Sequence, residues 1–217
     1  MRRLLLLSVC LLVSLGAPQG ARAASISYLI DQTNIDAGAI VDGVNYAQVT
    51  IDDNTAGSIT FTVSILSPLS SIAASNFGIQ DFAFDIVGSH PVQDSGNVAG
   101  QWTLPAGWSG NVAPPPNQAD GFGSFEVQVS GGGSNRQSPL VFRLNGTGLT
   151  IASFAETSTG GAGQGNVFFA THIAGFSGPN GTDSGYFGGS KVPEPATLVL
   201  ALGALGLCAL RSRARPA

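Results

Sequence analysis

Few residues in this chain have types and spacing suited to catalysis. There are two histidines, His90 and His172. Neither belongs to an HExxH pair or another metal-binding spacing, so no zinc site is expected. Serines are plentiful, but no Gly-x-Ser-x-Gly elbow occurs. Asp81 and Asp85 stand two alternations apart on one strand face. That is about 13 Å along an extended chain, too far for the acid pair of a glycosidase, and both read as sheet aspartates facing water. Asp52-Asp53-Asn54 precedes Ala56-Gly57 and places Asp52 and Asn54 at the first and third positions of an EF-hand-like loop. The fifth and twelfth positions, Ala56 and Val63, lack oxygen ligands, so calcium is an option that an ordinary Asx turn also explains. Trp102, Trp108 and Tyr186 lie in or near loops and have the side chains on which sugar rings stack; an equal reading of the two tryptophans is as caps over one end of the fold. No catalytic residue and no obligatory cofactor is expected.

These residues must be positioned by strands. Between 24 and 191 the chain is rich in Gly, Ser and Thr and poor in Lys, Glu and Leu, a profile that opposes helix. Ser58 to Ile65 alternates polar and apolar without error, which puts Ile59, Phe61, Val63 and Ile65 inward. Phe82, Phe84 and Ile86 repeat the pattern against Asp81, Ala83 and Asp85. Phe125, Val127 and Val129 do so against Glu126 and Gln128. Ser25–Ile30, Tyr46–Ile51, Leu140–Leu144, Leu149–Phe154 and Val167–Ile173 are further expected strands. In the last of these His172 shares a face with Phe168 and Ala170. Gly131 to Asn135 reads as a hairpin loop, Pro105 to Gly121 as a long irregular loop around Pro114-Pro115-Pro116, and 176–191 as a Gly-rich linker. The expected fold is all-β, an antiparallel β-sandwich of jelly-roll-like kind over 24–175.

Charge narrows the partners. The region 24–191 holds three basic residues, Arg136, Arg143 and Lys191, against twelve acidic ones, a formal net charge of −9; the whole-chain value is −4. An acidic body disfavours nucleic acid, whose binding rests on neutralising phosphates. It suits solubility, divalent cations and neutral or cation-bridged polysaccharide. Both cysteines, Cys10 and Cys208, fall outside this region, so its core must hold it without a disulfide.

The flanks carry a different message. Arg2 and Arg3 precede an apolar run from Leu4 to Leu15, and Ala21-Arg22-Ala23 is a small-x-small cleavage site. This is the layout of a secretory signal peptide over 1–23, which implies signal peptidase and the secretory translocon as partners. At the other end Val192-Pro193-Glu194-Pro195 leads into an uncharged apolar run over 196–210, and then to Arg211, Arg213 and Arg215. A helix over that run is about 22 Å long at 1.5 Å per residue, against a bilayer core of about 30 Å, so it spans marginally. The arginines would stay on the cytoplasmic side. Pro193 and Pro195 keep the motif extended and open to a protease.

This terminal order closely resembles the PEP-CTERM sorting signal of exported bacterial proteins. The residues that carry the resemblance are Val192-Pro193-Glu194-Pro195-Ala196-Thr197-Leu198, the apolar helix and Arg211-Ser212-Arg213, and they cover about the last 25 residues. The resemblance implies that a membrane-embedded exosortase recognises Pro193, Glu194 and Pro195 and cuts nearby with its own cysteine. It implies a Gram-negative host that makes extracellular polysaccharide, a transient inner-membrane intermediate, and delivery to the cell surface or biofilm matrix. The Gly-rich region ending in Gly185-Tyr186-Phe187-Gly188-Gly189 also looks like other domains attached to such signals. The expected protein is therefore an exported, non-catalytic structural or exopolysaccharide-associated module, with 192–215 as its sorting signal. Two alternatives are a secreted hydrolase acting on polysaccharide and a permanently anchored inner-membrane protein.

Overall fold

The computed structural model describes residues 25–189 except 36–37, 56, 89–91 and 162. The expected signal peptide with Ala21 and Ala23, the sorting motif Pro193, Glu194 and Pro195, the terminal Arg211, Arg213 and Arg215, and His90 all lie outside the described residues. Among the described residues no helix is long and apolar enough to cross a membrane.

The described body is all-β and its sheets are antiparallel. The strands are β1 (Ser25–Ile30), β2 (Gln32–Thr33), β3 (Ala47–Thr55), β4 (Ser58–Ile65), β5 (Ala73–Phe84), β6 (Trp102–Thr103), β7 (Ser109–Ala119), β8 (Gly123–Ser130), β9 (Leu140–Asn145), β10 (Phe169–Phe176) and β11 (Ser184–Gly189). They form a five-stranded sheet in the order β1-β3-β4-β9-β6 and a six-stranded sheet in the order β2-β11-β10-β5-β8-β7. A one-turn helix, Ser67–Ser70, links β4 to β5, and its Leu69 is buried.

Strict alternation explains why these strands share one core. In β4, Ile59, Phe61 and Val63 are fully buried while Thr60, Thr62 and Ser64 are half-exposed. Ile65, at the strand's end, is only half-buried. Leu140, Phe142 and Leu144 of β9 face the same core, with Val141 and Arg143 outward. The six-stranded sheet answers with Phe82, Phe84, Val127, Val129, Phe169 and Ile173. Phe61 lies at the centre. Its ring stacks on Phe142 at 4.7 Å and on Phe84 at 5.0 Å, and meets Phe154 edge-on at 4.9 Å. Each such buried ring contributes about 1.5–3 kcal/mol, which is how a cysteine-free body is held.

Four expectations are corrected. Pro105 to Gly121 is not an irregular loop, because β7 occupies most of it. β7 is the outermost strand of its sheet, so prolines without N–H groups are tolerated, and the register shifts between Val112 and Asn117 to carry them. Ile151–Phe154 is a 3-10 turn and not a strand. Thr150 caps it, the Thr150 N–H donating to Ser153 Oγ at 3.1 Å, and Phe154 reaches the core. Gly131 to Asn135 does not close a hairpin, since β8 and β9 belong to different sheets. The segment crosses between them, and the Trp108 indole packs where a side chain at Gly131 would stand. Residues 184–189, expected in a linker, form β11 inside the six-stranded sheet.

Candidate functional site

Strand register brings together residues far apart in sequence. His172 on β10 pairs with Tyr186 on β11 and with Asp81 on β5, and Asp81 pairs with Ser130 on β8. All four point away from the main core, because their neighbours Thr171, Phe82 and Val129 point into it. His172 is thus on the same face as Ala170, but not Phe168, which precedes the strand and packs against the main core beside Tyr28.

This outward face is not simply wet. The next row is Gly188, Ala170 and Ala83, three small residues that form a shelf. The Phe122 ring lies on it, so close to Gly188 that a Cβ there would be 2.5 Å from the ring. Phe122, Phe125, Val167, Ala119, Ala83 and Ala170 make a second apolar cluster, and Tyr186 packs against it. The segment around Ser158 seals it: the Ser158 hydroxyl donates to the Phe122 carbonyl at 2.6 Å and accepts from the Val167 N–H at 3.1 Å.

Asp81 is therefore only 6% exposed. Burial pushes its carboxyl up to about 7, against the opposing pull of the His172 N–H and the Tyr186 hydroxyl. Its Oδ1 has no hydrogen-bond partner among the described residues. The Tyr186 hydroxyl makes a long contact of 3.5 Å to Oδ2. The imidazole of His172 stacks on the Tyr186 ring at 4.8 Å and 25°, with Nδ1 3.9 Å from Asp81 Oδ2. Burial, then the charge of Arg136, lowers the His172 pKa against a weaker pull from Asp183. Burial thus favours the neutral imidazole, which makes the contact with Asp81 more polar than ionic. Burial foremost, then the Asp81 charge, holds the Tyr186 phenol well above its usual range. Asp85 accepts the Glu126 N–H at 2.6 Å, and burial raises its carboxyl to about 6. The reading of Asp81 as a water-facing aspartate is corrected by this cover, whereas Asp85 is half-buried beside Glu126.

Two shallow hollows flank Tyr186. One, of about 370 Å³, is lined by Gln118, Asp120, Gly121, Gly123 and Gly160; the other, of about 460 Å³, by Asn34, Asp120, His172, Thr182 and Ser184. Tyr186 and Asp120 border both. Asn34 ties the rim together, its Nδ2 donating to Asp120 Oδ2 at 3.0 Å and its Oδ1 accepting the Tyr186 N–H at 2.9 Å.

The other residues singled out from the sequence lie elsewhere. Trp108 is 8% exposed and spends its indole N–H on the Asn135 carbonyl at 2.6 Å. Trp102 lies in β6, half-buried between Gly110 and Phe142, with its N–H on the Gln93 carbonyl at 2.8 Å. Both indole N–H groups are thus bonded within the fold, and Trp102 remains partly exposed. Tyr186 itself is in mid-strand and not in a loop. Asp52 sits in β3, paired with Ser25 and Thr60 beside the β3–β4 turn. The side chain of Asn54 lies outside what the structure describes. Among the described residues no three His, Cys, Asp or Glu side chains converge as a metal site. The link between Tyr186, His172 and Asp81 had no local signal in the sequence, because the three meet only through strand pairing.

Comparison of the chain with protein-family models, with curated proteins and with solved structures finds no significant match.

Proposed function

We propose that this chain is an exported, non-catalytic component of the cell surface or extracellular matrix of a Gram-negative bacterium. It leaves through the secretory translocon, loses residues 1–23 to signal peptidase, pauses at the inner membrane through 196–210, and is released by an exosortase acting at Pro193-Glu194-Pro195. Its body is a jelly-roll-like sandwich built from the two sheets, associated outside the cell with exopolysaccharide.

The observation that supports this reading is that every described strand lies between the two processing segments. β1 begins at Ser25, leaving only Ala24 after the expected cut. β11 ends at Gly189, leaving Ser190, Lys191 and Val192 before Pro193. Cuts on both sides would take both cysteines and six of the nine basic residues, and would leave an acidic body with its core complete. The hydrolase alternative is weakened by Asp81, whose raised carboxyl is sealed beneath the strand face and not presented to a substrate.

Intact-mass spectrometry of the protein from native culture tests the reading. The expected species begins at Ala24 and ends near Pro193-Glu194-Pro195. Extracellular molecules that retain Arg211, Arg213 and Arg215 would overturn it, as would full-length tail retained in the membrane fraction.

A further inference from the structure

We propose that the two hollows flanking Tyr186 form one binding site for a neutral polysaccharide chain, in which a sugar ring stacks on the phenol and its hydroxyls bond to Asp120, Asn34 and Ser184. The inference builds on the matrix-facing reading above by naming the surface that would meet exopolysaccharide.

The platform is built before any ligand arrives. His172 backs the Tyr186 ring at 4.8 Å, and β11 is paired on both edges, with β10 and with β2. A ring held this way loses little freedom on binding. In front of it stand Gly121, Gly123 and Gly160, which put no side chain into the hollow, and a Cβ on Gly160 would meet only open space. The hollows have the volume of small-molecule sites but are open, as a passing polymer requires.

The rim selects the ligand class. Among the described residues no Lys or Arg lines either hollow, and burial favours the neutral form of His172. The exposed Asp120 adds negative charge and can accept bonds from hydroxyl groups. Its neighbour Asn34 is fixed by the two hydrogen bonds given above. A planar carboxylate and a planar amide beside an aromatic face match a sugar, which has an apolar C–H face and an equator of hydroxyls. A peptide adding a strand finds no edge here, because both edges of β11 are taken.

The test is affinity electrophoresis of the full-length chain in mild detergent, through native gels containing soluble β-1,3-glucan, mixed-linkage β-glucan, galactomannan, amylose or alginate. Working with the uncut chain keeps a failure of tail processing separate from a failure of binding. At least one neutral polysaccharide should retard the wild type. Tyr186→Ala should weaken that retardation about tenfold or more, and the exposed Asp120→Ala should weaken it several-fold without disturbing the fold. Val141→Thr, on the other sheet, should leave it unchanged. Absence of retardation by every neutral polymer, retardation that survives both Tyr186→Ala and Asp120→Ala, or retardation by alginate alone would each overturn the proposal.

Discussion

On the five-stranded sheet the side chains turned away from the core are Ser27, Thr50, Thr60, Thr62, Val141 and Arg143, all partly or fully exposed. Ser27 and Thr50 share a hydroxyl–hydroxyl bond of 3.0 Å, and Val141 is open to water. On the six-stranded sheet the corresponding positions hold Asp81, Ala83, Ala170, His172, Tyr186 and Gly188, and Ala83 and Ala170 are fully buried. Both sheets obey the same inward alternation. They differ in what happens outside: one outer face meets solvent, and the other carries a second apolar cluster with a titratable row along its margin. The candidate site follows from that cover, because only a half-buried face can hold an aromatic ring still and shift the ionisation of the groups beneath it.

The largest break in this contrast should come from Phe122→Ala. It removes a fully buried ring from the cover, and urea unfolding should show a loss of about 3–5 kcal/mol. A loss below about 1 kcal/mol would mean that the second cluster is ornamental. Next is Asp81→Asn. The Asp81 carboxyl is raised from an ordinary 3.8 to about 7, so the folded protein binds more protons than the unfolded chain between those values. Its contribution is therefore most favourable below about pH 4 and is lost as pH rises towards 7. Replacing it by Asn should raise stability at pH 8 by about 2–4 kcal/mol and change little at pH 4. Thermal unfolding across pH 4–8 measures this, and a variant that is destabilised at pH 8 would refute the burial argument. The smallest effect belongs to the solvent-facing sheet: Ser27→Ala should stay within about 0.5 kcal/mol of wild type by the same urea assay.

How far the sequence reveals this molecule depends on where each burial arises. β1 and β4 fall on the expected residues, Ser25–Ile30 and Ser58–Ile65, because their own alternation fixes which side is buried. β7 is hidden by Pro114-Pro115-Pro116, which local propensity rejects and an edge position accepts. β11 is hidden by its glycines. Gly185, Gly188 and Gly189 are buried because Ile35, Phe122 and the backbone at Leu29 press against them, so the apolar material belongs to the neighbours and not to the strand. The same limit applies to the site. Tyr186 was nameable as an aromatic suited to sugars, and His172 and Asp81 were visible as isolated residues. Their meeting is a property of the β5-β10-β11 register, and no spacing along the chain encodes it.

β11 also sets an order of events for a nascent chain. It is the last described strand to be synthesised, yet it lies between β2, among the first, and β10. Until Ser184 to Gly189 emerge, the amide and carbonyl groups along one margin of β10 lack their ladder partners, and β2 has no strand beside it. The body therefore closes like a clasp, in a late step that awaits its last described strand. A polypeptide stalled before that step would present a bare strand rich in apolar side chains, open to capture by holdase chaperones.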